Sequence, residues 1–247
     1  MSRNLNIAFL MDPLETLDLK GDTTFALALE AQRRKHCISF FKPEDLIFID
    51  NNVLASICKL ELFSSNNLNE FKYHDNFIKP LSNYDVIMMR QDPPFNMSYI
   101  SATHILEKLP SSTLVVNNPF EVRNSPEKIF VTNFSHLMPK TLISRNVNAI
   151  EEFRKKFKDI IIKPLYGNGG QGVFHILPED ENLNSILEMF FSQNKEPLMI
   201  QEYLQDVRNG DKRVILLNGE AVGAINRVPK LGESRSNMHV GGKPEKT

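Results

Sequence analysis

The distribution of glycine divides this chain before any other feature does. None occurs between Gly21 and Gly167, yet four of the eleven fall within the run Gly167-Asn168-Gly169-Gly170-Gln171-Gly172. Glycine reaches backbone conformations closed to other residues, so its absence favours regular packed elements and its clustering marks a sharply turned loop. In the glycine-poor part, the apolar runs Ile7–Met11, Cys37–Phe41, Val86–Met89 and Leu114–Val116 read as strands. Between them lie helical patterns: Asp22-Thr23-Thr24 caps a segment ending at Gln32-Arg33-Arg34, and Ser98–Lys108 forms another. Leu46–Ile49 and Val53–Leu62 flank Asp50-Asn51-Asn52, turn chemistry for a hairpin appended to the sheet. Strand and helix alternate, which predicts an open, mostly parallel α/β domain over residues 1–122.

Residues 123–247 read differently. Ser125-Pro126-Glu127 supplies a capping hydroxyl, a proline for the first helical position and an acid for the first turn, which predicts a helix from Pro126 to about Phe134. Strands are expected at Thr141–Ser144, Ile160–Ile162, Val173–Leu177 and Leu198–Tyr203, with helices at Ala149–Phe157 and Asn184–Phe191. Asn218-Gly219 joins two alternating runs, Arg213–Leu217 and Ala221–Arg227, as a hairpin. This half is expected to be α+β with antiparallel strands. Its end, from Gly232 to Lys243, is polar and glycine-rich and is expected to be mobile unless a ligand orders it.

Charge excludes some partners. Lys and Arg number 29 against 30 Asp and Glu, so the net charge of −1 provides no long-range field for nucleic acid or anionic lipid. No window approaches the roughly 20 apolar residues of a membrane helix. Ile7–Met11 is too short for a signal peptide and has no cleavage signature. Cys37 and Cys58 form neither a disulfide framework nor a Cys-x-x-Cys pair, which fits a reducing compartment and a cytoplasmic chain. The six histidines lack metal-ligand spacing, and no Gly-x-Ser-x-Gly elbow occurs.

Gly167–Gly172 matches Gly-x-Gly-x-x-Gly, but Val173-Phe174-His175-Ile176-Leu177 follows, a strand-like run where a dinucleotide fingerprint would open a helix. No Gly-Lys-Ser/Thr ends the loop, so it is not a Walker motif. A hairpin flap remains, whose bare N–H groups suit phosphate oxygens. Lys163 ends the apolar strand before it, where an ammonium is costly to bury unless it meets an anion. Lys128, near the Ser125 cap, is a second phosphate candidate. Leu198–Leu204 alternates apolar and polar residues, and a strand edge there offers main-chain groups and an apolar slot to a purine. Arg213 and Arg227, on the two hairpin arms, present planar forks for a carboxylate or phosphoryl group.

Taken together, these segments resemble the bacterial glutathione synthetase family of ATP-grasp ligases along essentially the whole chain. On the N-terminal side the matching segments are Phe9-Leu10-Met11-Asp12-Pro13, Asp22-Thr23-Thr24-Phe25 with Glu30-Ala31-Gln32-Arg33-Arg34, and Met89-Arg90-Gln91-Asp92-Pro93-Pro94-Phe95. In the other half they are Asn124-Ser125-Pro126-Glu127-Lys128, Ile162-Lys163-Pro164-Leu165 with the glycine run, Gln201-Glu202-Tyr203-Leu204, and Gly210-Asp211-Lys212-Arg213.

The resemblance implies a pre-ATP-grasp, Rossmann-like α/β domain over 1–122, followed by an α+β ATP-grasp domain over 123–247. It implies that Lys128 and Lys163 contact nucleotide phosphates, that Gly167, Asn168, Gly169, Gly170, Gln171 and Gly172 fold over them, and that Glu202, Tyr203 and Leu204 line the adenine and ribose slot with Asp211 near the ribose. Asp12, Arg90 and Arg235 would bind substrate, and Arg213 and Arg227 would hold the reacting carboxylate. The activity implied is the joining of γ-glutamylcysteine to glycine with ATP and Mg²⁺, in a homo-oligomer. The family pattern continues beyond Gly241-Gly242 into a segment bearing its metal ligands, so the ATP-grasp domain is expected to be incomplete and truncated, its transfer severely weakened or abolished and apolar surface exposed on the second half. Two further readings stand beside this one: another ATP-grasp carboxylate–amine ligase, and a non-catalytic nucleotide-binding remnant.

Overall fold

Strand β1 (Asn6–Leu10) buries four successive residues, Ile7 to Leu10, as a strand covered on both faces must. The computed structural model of the chain describes residues 3–65, 68–233, 235–238 and 241–246. Its contacts divide it into two units, Met1–Pro126 and Glu127–Thr247.

The first unit is a mixed α/β domain. After β1 come α1 (Thr23–Arg33), β2 (Cys37–Phe41), β3 (Leu46–Ile49), β4 (Asn52–Ser65), β5 (Leu68–Pro80), β6 (Val86–Met89), α2 (Met97–Leu106), β7 (Leu114–Val116) and α3 (Pro119–Asn124). Asp22 caps α1, its carboxylate accepting from Phe25 N–H at 2.6 Å. The sheet order is β3-β4-β2-β1-β6-β7, with β5 on β4. Strands β2, β1, β6 and β7 run parallel, while β3, β4 and β5 pair antiparallel. One face packs Phe9 and Phe40 against Phe25 and Ala28 of α1, and the other packs Leu10 and Ile87 against Leu106 of α2. The expected hairpin is β3–β4. Strand β5 has no counterpart in the sequence reading, because Asn69, Glu70, Lys72, His74, Asp75 and Asn76 dilute its apolar signal.

The second unit differs from expectation at its start. No helix runs from Pro126 to Phe134; α4 (Glu127–Phe130) is a single turn followed by 3₁₀ structure over Val131–Leu137, with a non-helical kink at Phe134. Ser125 instead ends α3, its N–H donating to Val122 O. The Asn-Pro cap lies earlier, where the Asn118 side chain accepts from Phe120 and Glu121 N–H and Pro119 takes the first helical position.

Then follow β8 (Thr141–Ser144), α5 (Val147–Phe157), β9 (Ile160–Pro164), β10 (Phe174–Ile176), α6 (Leu183–Gln193), β11 (Leu198–Glu202), β12 (Asp211–Leu217), β13 (Glu220–Val228) and β14 (Lys243–Lys246). The first four strands form an antiparallel sheet in the order β10-β9-β11-β8, and the last three a second sheet, β12-β13-β14. Ile160, Ile162, Ile176, Leu198 and Ile200 bury one face of the first sheet against Ile150 of α5 and Leu183, Leu187 and Phe190 of α6. The β12–β13 turn carries positive φ at Asn218 (50°) and Gly219 (85°), as a two-residue hairpin requires. Val214, Ile215, Leu216, Leu217 and Val222 of this hairpin are exposed. Within the stretch expected to be mobile, Ser234, His239 and Val240 lie outside the described residues, and Lys243 opens β14.

The packing of β9 predicts a local stability test. Ile162→Ala should lower unfolding free energy by about 2–5 kcal/mol through its cavity, read from the urea midpoint of the full chain. Leu217→Ala, at a side chain 63% exposed, should change it by less than about 0.5 kcal/mol.

Candidate active site

Alternation along β9 decides where Lys163 points. Ile160 and Ile162 enter the core, so Ile161 and Lys163 occupy the opposite face, with Lys163 in register with Met199 of β11. There Lys163 lines two adjoining cavities. One, of about 660 Å³, lies beneath the glycine flap and is also lined by Lys128, Lys212, Arg213 and Arg227. The other, of about 540 Å³, is walled by Val131, Phe134, Leu137, Met138, Pro139 and Met199, with Gln201 as a polar group. Glu127, Lys128 and Lys163 belong to both.

The polar cavity is strongly cationic. Among the described residues, five basic side chains line it against one carboxylate, Glu127. That carboxylate is already engaged, accepting from Lys128 Nζ at 2.6 Å. Lys128 Nζ also donates to Gly167 O at 2.6 Å, which ties the first residue of the flap to α4. Burial and the neighbouring Lys128 charge push the Lys163 pKa below its ordinary 10.5, while Glu127 pulls it back. An ammonium in that position is short of negative charge.

The flap joins β9 to β10, which pair antiparallel from Phe174↔Ile162. Its turn closes with Gln171 N–H donating to Asn168 O at 3.1 Å. Gly170 adopts φ +82°, and a Cβ there would stand 2.9 Å from Asn237 Oδ1. Gly172 adopts φ +67° with Pro164 Cδ 3.2 Å from its Cβ position. Both positions require glycine for conformation and for space. Gly167, Asn168, Gly169, Gly170 and Gln171 line the polar cavity.

Other expected site residues fall in varied places. Strand β11 is no sheet edge: β9 and β8 flank it over Leu198–Gln201, Glu202 N–H donates to Lys140 O and Tyr203 N–H to Asp159 O. The Glu202 and Tyr203 N–H groups are therefore spent on neighbours. Glu202, Tyr203 and Leu204 line neither cavity. Asp211 and Arg227, in register on β12 and β13, grip each other at 2.7 and 2.9 Å. Arg213 is exposed on the cavity wall. Arg235 donates to Gly170 O at 3.1 Å and is paired with Glu233. In the first unit, Asp12 and Arg90 follow the C-terminal ends of the neighbouring parallel strands β1 and β6, the usual ligand side of an open α/β sheet. Asp12 Oδ2 accepts from Asp92 N–H at 2.7 Å, and Arg90 Nε donates to Thr24 Oγ1 at 3.0 Å.

Sequence reading covered Met199 and Gln201 only within the Leu198–Leu204 slot and Lys212 only within a matching segment, and missed Asn237 and the apolar wall from Val131 to Pro139. Period-2 alternation with Lys163 would have placed Met199 and Gln201 on the ligand side once the β9–β11 register was known. Among the described residues, no group of three or more His, Cys, Asp or Glu side chains is placed to hold a metal ion. No described helix is long and apolar enough to cross a membrane.

Comparison with known proteins agrees with this architecture. The family model for the N-terminal domain of prokaryotic glutathione synthetase matches residues 5–123, and that for its ATP-grasp domain matches residues 127–247. Glutathione synthetase of Mesorhizobium japonicum is 53% identical over 243 residues, covering 98% of this chain and 77% of that protein. The Agrobacterium fabrum glutathione synthetase is 51% identical, covering 100% of this chain and 77% of its own. Among solved structures, a RimK-domain ATP-grasp protein from Sphaerobacter thermophilus superposes with a TM-score of 0.60 at 15% identity, over 90% of this chain and 73% of that one. The D-cycloserine synthetase DcsG does so with 0.61 at 14%, over 98% and 75%. At these identities the two structures establish the fold alone: an α/β domain followed by an ATP-grasp α+β domain. With the two family models matching residues 5–123 and 127–247 and relatives above 50% identity, the chain belongs to the prokaryotic glutathione synthetase family.

Proposed function

We propose that this chain is an ATP-dependent carbon–nitrogen ligase joining γ-glutamylcysteine to glycine. The observation that carries the reading is the meeting of Lys128 and Lys163 beneath the glycine flap, where a cationic cavity adjoins an apolar one. A nucleotide has that same division: a flat purine for the apolar side and a polyphosphate for the cationic side. Gln201 donates its Nε2 to Thr141 Oγ1 at 2.8 Å, which orients its carbonyl oxygen as acceptor for a purine amine.

In the reaction, a carboxylate oxygen of γ-glutamylcysteine attacks the γ-phosphorus of ATP, ADP leaves, and an acyl phosphate forms. The glycine amine then attacks the acyl carbon, the C–N bond forms, the C–O bond to phosphate breaks, and the amine loses its proton. The protein contributes position and charge: Lys128 and Lys163 on the phosphates, flap amides above them, and Arg213 at the cavity wall toward the transferring group. Arg227 reaches a substrate carboxylate only by sharing its fork with Asp211. Asp12 and Arg90 are assigned to the dipeptide side, and Arg235 to the flap side. The family's magnesium has no fitting donor set among the described residues, since the carboxylate that lines the cavity, Glu127, is bound to Lys128. A reducing cytoplasm suits the free thiols of Cys37 and Cys58.

Incubated with ATP, Mg²⁺, γ-glutamylcysteine and glycine, the chain should release ADP slowly for want of metal ligands among its described residues, and Lys163→Ala should cut that residual rate by about a further 10²- to 10³-fold, as loss of a transition-state charge does. No ADP from the unmutated chain would favour the remnant reading.

The lowered Lys163 pKa sets a pH dependence. Below that pKa the ammonium is charged and available to phosphate. ATP affinity should fall as pH rises through the lowered pKa, by roughly 10-fold for one lost charge-assisted contact, while Lys163→Arg should hold its affinity to higher pH. Titration calorimetry across alkaline pH reads both.

A further inference from the structure

Tyr203 does not line either cavity, yet it is held from three sides. Its N–H donates to Asp159 O at 3.0 Å. Its ring stacks on His175 at 4.0 Å between centroids, and His175 Nε2 lies 2.5 Å from Asp159 Oδ1. Its hydroxyl accepts from Arg208 Nε at 2.7 Å. Arg208 spends a second nitrogen elsewhere: Nη1 donates to Glu233 O at 2.8 Å. Glu233 in turn grips Arg235 through Nε at 3.0 Å and Nη2 at 2.7 Å, and Arg235 Nη1 donates to Gly170 O in the flap.

These contacts close a circuit. From Gly170 the chain runs forward five residues to His175, across to Tyr203, through Arg208 to Glu233 and Arg235, and back to Gly170. Arg208 is the member whose loss opens it, because one guanidinium makes two directed bonds to groups 30 residues apart, Tyr203 and Glu233. Arg208 itself lines neither cavity.

We infer that Arg208 is a positioning residue that couples Tyr203 to the glycine flap through Glu233 and Arg235. The inference deepens the nucleotide reading above and rests on it only for its effect on ATP. The flap's Arg235 strut stands because Arg208 anchors the loop that carries it, so closure over a polyphosphate depends on a side chain outside the cavity.

Two measurements separate this coupling from the nucleotide reading. Hydrogen exchange on the full chain without ligand compares the flap, read at the Gln171 amide, with β9. Arg208→Leu and Tyr203→Phe should each speed flap exchange by about 5- to 10-fold, the size of one lost hydrogen bond. The double variant should add nothing further, and β9 amides should keep their rates. Tyr203→Phe preserves the ring on His175, so it serves where Arg208→Leu folds poorly. Unchanged flap exchange in Tyr203→Phe, equal acceleration in β9, or additive effects in the double variant overturns the coupling. In the second measurement, Arg208→Leu should weaken ATP by a similar factor and leave adenosine unchanged; equal weakening of both overturns it. Failure of Lys163→Ala to weaken ATP defeats the nucleotide reading instead, while the exchange result stands.

Discussion

An ammonium group denied most of its water is the constraint around which the second unit is arranged. Lys163 cannot turn into the core, because Ile160 and Ile162 of the same strand already fill that face. Nor does it have a strong partner, since Glu127 is spent on Lys128 and the other charged groups among the described residues around the cavity are cations. Burial and repulsion both favour its neutral form. Any bound anion relieves both penalties at once, so the site gains from a ligand what it lacks alone.

The flap follows from the same constraint. Side chains over Lys163 would compete with a ligand for the space and would cover the backbone amides. Glycine at positions 170 and 172 removes the side chains and permits the positive φ that turns the loop back toward Pro164. Such a loop has little stiffness of its own. Its order is borrowed from Lys128 at Gly167 and from Arg235 at Gly170, two cations that donate to flap carbonyls while each also pairs with an acid, Glu127 and Glu233. Flap position and cavity charge are therefore set by overlapping groups.

Strands and turns with local signals were legible in advance. The triple isoleucine of β9, the Asn218-Gly219 turn and the Asp22 cap each carry their cause within a few residues. Lys163 was legible for a similar reason: a charge ending an apolar strand beside a glycine run is anomalous without any tertiary knowledge. Strand β5 was not, because polar residues interrupt its apolar pattern and it is defined by pairing with β4. The expected 126–134 helix failed because Ser125 serves the preceding helix and the chain kinks at Phe134 to wall the apolar cavity.

By itself the sequence determined the two-part α/β then α+β order, the flap and its lysine, since hydrophobic period, turn chemistry and glycine content act over a few residues. Tertiary structure alone decided that β11 is an interior strand, that Asp211 and Arg227 hold each other, that Met199 and Gln201 face the ligand side, and that Arg208 ties Tyr203 to the flap. Those outcomes depend on which strands become neighbours and in what register, and register is set by packing among segments far apart in the chain.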